Sequence, residues 1–275
     1  MIELPEALAR ADELSRELTG KKVEKVHPPS YPHKFCWFNG EASSYDSMLK
    51  GRAVTGAEGF GIFAEIIFEG DLKLCFNDGV NVRILGREEK PPKKYQLRVD
   101  FTEGMVLIFT VAMYGSIACT EGNYDNEYYI ASRESRSPLS PEFDRTYFAR
   151  LLDSAEPNLS AKAFLATKQR IPGLGNGVLQ DILFEAGIHP KAKIGGLSEE
   201  DKEQIFAGIK KVLPEMVRLR GRDTEKDIWG QPGGYKTKLS KNTYKNGCPK
   251  CGGEIIKSSY LGGTVYFCPA CQSLD

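Results

Sequence analysis

Four cysteines near the C-terminus, Cys248-Pro-Lys-Cys251 and Cys268-Pro-Ala-Cys271, constrain this chain more than any other feature. Two Cys-x-x-Cys knuckles with 16 residues between them present four sulfurs to one ion, provided a β-hairpin brings the knuckles together. With cysteine at all four positions no site is left for water, so the expected ion is one structural zinc per chain, held by Cys248, Cys251, Cys268 and Cys271. Two redox pairs would need a strand-to-helix context that the sequence lacks. Cys36, Cys75 and Cys119 lie among apolar or aromatic neighbours and read as buried, reduced thiols.

A hairpin of that size is only a module, and the 275 residues leave room for two further domains. Leu4, Leu8, Leu14 and Leu18 recur near a helical period and Gly20 follows, which predicts an N-terminal amphipathic helix. From residue 22 to about 132 the pattern becomes short β-rich runs, from 54 onwards and at 61–68, 72–76, 95–101, 105–113 and 116–119, with turns at 69–71 and 102–104. After Ser135-Arg-Ser-Pro138 it turns helical, with segments at 143–152, 160–167, 178–186 and 199–213. The expected class is α+β and multidomain: an N-terminal helix plus antiparallel β-sandwich (1–133), an all-helical domain (134–232) and a zinc-finger hairpin (233–275).

With 41% hydrophobic and 27% charged residues, the composition excludes disordered, collagen-like and coiled-coil classes. The longest apolar run, 105–113, is too short for a bilayer, and Glu3 and Glu6 stand where a secretory signal needs basic and then apolar residues. A cytoplasmic protein with no membrane contact is expected. Lys+Arg and Asp+Glu balance at 37 each, yet residues 210–257 carry 12 basic against 5 acidic side chains. Such asymmetry suits a nucleic-acid face or a solvated helix surface.

The second motif, Ile171-Pro-Gly-Leu-Gly-Asn176, lies between two helices, where paired glycines let backbone amides approach an anion. Taken with its surroundings, this region resembles the formamidopyrimidine-DNA glycosylase and endonuclease VIII family of base-excision repair enzymes. Glu3-Leu-Pro-Glu6 resembles the family's opening, and Pro138-Leu-Ser-x-x-Phe143 the entry to its helical domain. Lys162, Gly173-Leu-Gly-Asn176, Asp181-x-Leu-Phe184 and Gly187-Ile-His-Pro190 resemble its helix-two-turn-helix signature, and Cys248 to Gln272 its zinc finger. The resemblance implies a monomer that binds double-stranded DNA at a damaged or abasic nucleotide. It places Lys162, Gly175, Asn176, Asp181 and the position of Gly263 at the DNA, with Lys162 and Asn176 on the phosphates flanking an extruded nucleotide.

The family's chemistry uses an N-terminal amine that forms a Schiff base with the sugar, assisted by a glutamate. Met1, Ile2 and Glu3 occupy that place here: Glu3 matches the glutamate, but Ile2 stands where the family exposes a proline, so the amine would be that of Met1, one residue farther out. At a helix start, Glu3 also suits the macrodipole alone. Other departures run the same way. Gly61-Ile62 replaces a glycine followed by a catalytic lysine, Ala112-Met113 an arginine pair that fills the void left by a flipped base, and Gly263 an arginine on phosphates. Asn77-Asp78-Gly79, with Asn81 and Arg83, reads as a polar loop in the lesion-facing region, and Phe35, Trp37 and Phe38 as a packed aromatic cluster. Two readings stand: a glycosylase with abasic-site lyase activity, and a relative that binds damaged or distorted nucleic acid without cutting it. An amine with the wrong reach cannot be rescued by good DNA contacts, because attack needs an approach of roughly 3 to 3.5 Å.

Overall fold

Helix α1 (Leu4–Leu18) starts where Glu3 turns extended, with Pro5 in its first turn and the Glu3 amide donating to Glu6 Oε2 at 3.2 Å. The apolar side chains Ala7, Leu14 and Leu18 face the β core, but Glu6, Arg10 and Glu13 are buried as well. The helix is therefore enclosed on its polar side too. It lies so close to β3 (Val54–Phe60) that a Cβ on Gly59 would come within 2.3 Å of the Ala7 carbonyl, so this position requires glycine.

The computed structural model describes residues 1–274, which fall into two units: Met1–Ile130 with Glu225–Pro232, and Ala131–Thr224 with residues 233–274. In the first unit, β1 (Val23–His27), β7 (Leu97–Phe101), β8 (Val106–Val111) and β6 (Val80–Leu85) form one antiparallel sheet in the order β1-β7-β8-β6. The other runs β2 (Cys36–Phe38), β9 (Gly115–Glu121), β5 (Leu72–Asn77), β4 (Phe63–Phe68), β3. Side chains of both sheets, among them Phe76, Phe109, Ile66, Leu74, Val99 and Leu107, interdigitate into the core.

The expected helix and sandwich are present, with three corrections. Asn81 and Arg83 lie on strand β6 and not in a loop; the alternation of Val80, Val82 and Ile84 is the signal, and the turn ends at Gly79. β2 pairs in parallel with β9, because Cys36 aligns with Gly115 and Phe38 with Ile117. Finally, Phe35 and Trp37 are exposed, at 47% and 53%, and only Phe38 packs inward, edge-on to Tyr45. Cys75 and Cys119 are buried, and burial pushes the Cys119 thiol up to about 12.

Residues 225–232 act as a strap in the first unit. Ile228 is fully buried in the sandwich core, its carbonyl accepts from the Ile84 amide at 2.8 Å, and its amide donates to Glu13 Oε2 at 3.3 Å.

The second unit contains α4 (Arg145–Asp153), α5 (Ala161–Ala166), α6 (Val178–Ala186) and α7 (Glu199–Arg218), capped by Asp144, Ser160 and, through a capping box, Ser198. Helix α6 ends at Gly187 in the left-handed conformation. The C-terminal hairpin is β10 (Ile256–Tyr260) and β11 (Gly263–Phe267). Among the described residues no helix is long and apolar enough to cross a membrane.

Candidate functional site

In the second unit, the short helix α5 and the turn before α6 deliver Lys162 and Asn176 to the underside of the β10-β11 hairpin. Lys162 Nζ donates to the Tyr260 carbonyl, and Asn176 Nδ2 to the Thr264 carbonyl at 2.9 Å. Both side chains meet at Gly263, where a Cβ would lie 3.2 Å from Lys162 Nζ and 3.2 Å from Asn176 Cγ. The missing side chain at residue 263 thus leaves room over an ammonium and an amide. Lys162 is 3% exposed, and burial lowers its pKa below the ordinary lysine value. Asn176 Oδ1 is buried and makes no hydrogen bond.

Gln180, which sequence reasoning missed, stitches this corner together. Its amide group donates to the Asn176 carbonyl at 2.8 Å and the Thr264 carbonyl at 3.2 Å, and its carbonyl accepts from the Tyr266 amide at 3.0 Å. The signal was available, since residues four apart share a helix face. Gly175 sits half-buried in the turn, its carbonyl accepting from the Leu179 amide at 3.3 Å.

Asp181, expected at the DNA, is fully buried. Its carboxylate accepts from Tyr235 Oη at 3.0 Å and from the Lys238 and Leu239 amides, each at 2.9 Å, so it anchors the strand of chain that leads to the cysteine module. Burial raises its pKa despite these three donors. His189 likewise closes a turn: Nδ1 accepts from the Lys191 amide at 3.0 Å, and its ring packs 4.3 Å from that of Phe267.

Cys248, Cys251, Cys268 and Cys271 place their Sγ atoms within 4.8 Å of one another, a donor set that could hold one metal ion. The knuckles are themselves fixed. The Cys248 amide donates to the Gly253 carbonyl at 2.6 Å, and buried Gln272 accepts from the Cys268 amide at 3.1 Å while donating to the Ile188 carbonyl at 2.9 Å. Through Gln272 the cysteine cluster is coupled to the loop after α6.

In the first unit the Met1 ammonium forms an ion pair with Glu225 on the strap. Ile2 is 5% exposed and belongs to the sandwich core. Glu3 is buried at the start of α1. Met1 and Ile2 line a cavity of about 600 Å³ together with Glu6, Arg10, Asn81 and Arg83. Burial depresses the Arg10 guanidinium below its usual range, opposed by Glu13, which lies 3.6 Å away, and by Glu6. No sequence signal marks Glu225 as the partner of the first residue. Ile62, expected in the place of the family's lysine, packs against the cluster of Phe63, Cys75, Ala118 and Tyr129, and Met113 projects into solvent.

A family model described as the H2TH domain of formamidopyrimidine-DNA glycosylase matches residues 135–227. The formamidopyrimidine-DNA glycosylase of Histophilus somni (strain 2336) is 31% identical over 198 residues, which cover 70% of this chain and 71% of that protein. The one from Pelobacter propionicus is 28% identical over 280 residues, 99% of this chain and 100% of the relative. Among solved structures, the Lactococcus lactis Fpg in complex with abasic-site DNA has the same fold, with a TM-score of 0.83 at 22% identity over 99% of this chain and 100% of that one. Sequence similarity over two thirds of a relative, a helix-two-turn-helix unit and a four-cysteine hairpin agree: the chain belongs to the formamidopyrimidine-DNA glycosylase family.

Proposed function

We propose that this protein binds double-stranded DNA at a damaged or abasic nucleotide, as a monomer, and does not cleave it. The relatives are named as formamidopyrimidine-DNA glycosylases, and a fold neighbour is a complex with abasic-site DNA, which supports the ligand class. The grip belongs to the second unit: Lys162 exchanges the Tyr260 carbonyl, and Asn176 the Thr264 carbonyl, for phosphate oxygens. The four cysteines hold a structural zinc that keeps the hairpin carrying Tyr260, Gly263 and Thr264 in place.

The observation that carries the absence of cleavage is the N-terminus. Ile2 is packed into the sandwich core, and the Met1 amine is tied as an ammonium to Glu225. Attack on a sugar carbon needs the amine released from that contact and brought to within roughly 3 to 3.5 Å of the carbon, which the packing of Ile2 opposes. By the resemblance, Ile62 supplies no charge where the family has a catalytic lysine, and Met113 none where the family fills the void left by a flipped base. The lyase reading has one point in its favour, that the amine lines a cavity with Glu6, Asn81 and Arg83.

The test is incubation with abasic-site DNA and borohydride, followed by intact-mass spectrometry, with DNA binding followed by anisotropy. Binding without a covalent adduct is expected. An adduct mapped to residue 1 overturns the proposal in favour of a Schiff-base lyase, and a chain with no affinity for the DNA refutes both readings.

A further inference from the structure

The exposed rings at the start of β2 carry a second inference, which rests on the nucleic-acid reading above. In a strand successive side chains alternate. Cys36 and Phe38 turn toward the core, so Phe35 and Trp37 stand together on the outside, with ring centroids 6.4 Å apart and planes at 55°. Single exposed apolar residues are ordinary; two adjacent large rings are not. They are fixed to the sheet, since the Phe35 carbonyl accepts from the Gly115 amide at 2.9 Å and Trp37 aligns with Ser116. The register sets Phe35 beside Tyr114, itself exposed and hydrogen-bonded to Asp78 Oδ2 at 3.3 Å.

The segment that carries the rings is basic, and the Asp78 carboxylate nearby accepts from Tyr114 Oη. Residues 28–38 hold His33 and Lys34 and no carboxylate. Lys34 Nζ lies 5.4 Å from the centre of the Phe35 ring, and Lys94 Nζ lies 5.5 Å from that of Tyr31. Rigid aromatic faces with an ammonium against one of the rings match the chemistry of unpaired nucleotides, whose bases stack while their backbone meets that charge.

We propose that Phe35 and Trp37 form a stacking platform for an unpaired nucleobase, with Lys34 on the adjoining phosphate. The chain has two tryptophans, so in a Trp229→Phe background Trp37 is the sole reporter. Three labelled probes are titrated by anisotropy and by tryptophan emission: a duplex with an abasic site opposite an unpaired base, the same duplex fully paired, and oligothymidylate. Saturation with the abasic duplex or oligothymidylate is expected to quench Trp37 emission by about half or more, and the paired duplex to leave it unchanged. Trp37→Leu and Phe35→Ala each weaken binding of the two probes with unpaired bases by roughly 10-fold and leave the paired duplex unaffected. Should Trp37→Leu fail to fold, Phe35→Ala and the quenching carry the test. Saturated binding with unchanged emission overturns the platform and leaves the DNA reading standing. No anisotropy change with any probe overturns both. Self-association in sedimentation that Trp37→Leu abolishes overturns the platform in favour of a second copy of the chain.

Discussion

Lys162→Met removes a charge at nearly constant shape, and its consequences separate a phosphate contact from a packing role. In the free protein the Lys162 ammonium is buried and donates to the Tyr260 carbonyl. The variant leaves that carbonyl unsatisfied, which costs about 1 to 3 kcal/mol, but it also relieves the burial of a charge, so the change in stability should fall within about 1 kcal/mol. Binding is affected more. A charge-assisted bond to phosphate contributes about 1.5 to 3 kcal/mol, from which the surrendered bond to Tyr260 must be subtracted, leaving about 1 to 2 kcal/mol, or roughly 5- to 30-fold in affinity. One phosphate fewer also lowers the slope of log K against log salt by about 0.9, so the loss of affinity between 50 and 200 mM salt shrinks by about 3.5-fold. Asn176→Ala is the control, because it removes a neutral donor and should weaken binding at an unaltered slope. The assay is anisotropy of labelled abasic duplex over a salt series. An affinity that falls by one factor at every salt concentration, with the slope of the parent protein, refutes the phosphate contact and makes Lys162 a prop for the hairpin.

Cys251→Ser, or chelation of the parent protein, should release the metal, lower DNA affinity by more than about 100-fold and leave the sandwich folded, as read by metal analysis, binding and two-transition calorimetry; normal affinity in the metal-free protein would contradict this. Glu185 accepts from Lys211 at 2.6 Å and from Lys238; burial works to raise its pKa, but these bonds outweigh it and hold the carboxyl at about 2. Because that folded value lies below the ordinary one, the stabilisation is present above about pH 4.5 and is lost as pH falls toward 2, and screening by water around the exposed lysines limits it to about 1 kcal/mol. Lys238→Met should therefore lower Tm at pH 6 by more than it does as pH approaches 2, and an equal deficit across that range would count against it. Gly79→Ala would set a Cβ 1.8 Å from the Tyr114 carbonyl at a residue whose φ is +86°, so a loss of at least about 2 kcal/mol and a Tm lower by about 4 to 8 °C are expected in thermal denaturation.

Periodicity and punctuation made the helices and most strands legible. α6 begins and ends where Asn176 and Gly187 stop the pattern, and the four thiols are brought together as their spacing requires. What escaped was set by partners distant in sequence. β2 has three residues and no alternation long enough to detect, and its outward rings read as core because an apolar residue carries no label for which face will be covered. β6 was hidden by the polar Asn81 and Arg83, whose side chains face away from the core. Within the site, the types of Lys162 and Asn176 could be matched to a signature, yet their present bonds to Tyr260 and Thr264 depend on a hairpin nearly 100 residues away. The Met1 to Glu225 pair spans 224 positions, beyond any local rule.

The two halves of the family's work are built from separate parts of this chain. Lys162, Asn176, Gln180 and the hairpin hydrogen-bond among themselves within the second unit, whereas Met1, Ile2, Glu13 and the strap that carries Glu225 and Ile228 are joined within the first. Changes at sites with no shared partner contribute nearly independently to free energy. A substitution such as isoleucine at residue 2 can therefore add apolar burial to the sandwich core while leaving every bond of the phosphate grip as it was. Fully burying such a side chain is worth about 1.5 to 3 kcal/mol, enough to matter to a marginally stable fold. Under the proposed binding-only role, stability alone would favour keeping Ile2 in the core and the amine paired with Glu225. If the proposed binding-only role holds, a proline at position 2 would not by itself confer lyase activity, because it would forfeit the core contact and leave Ile62 without a charge.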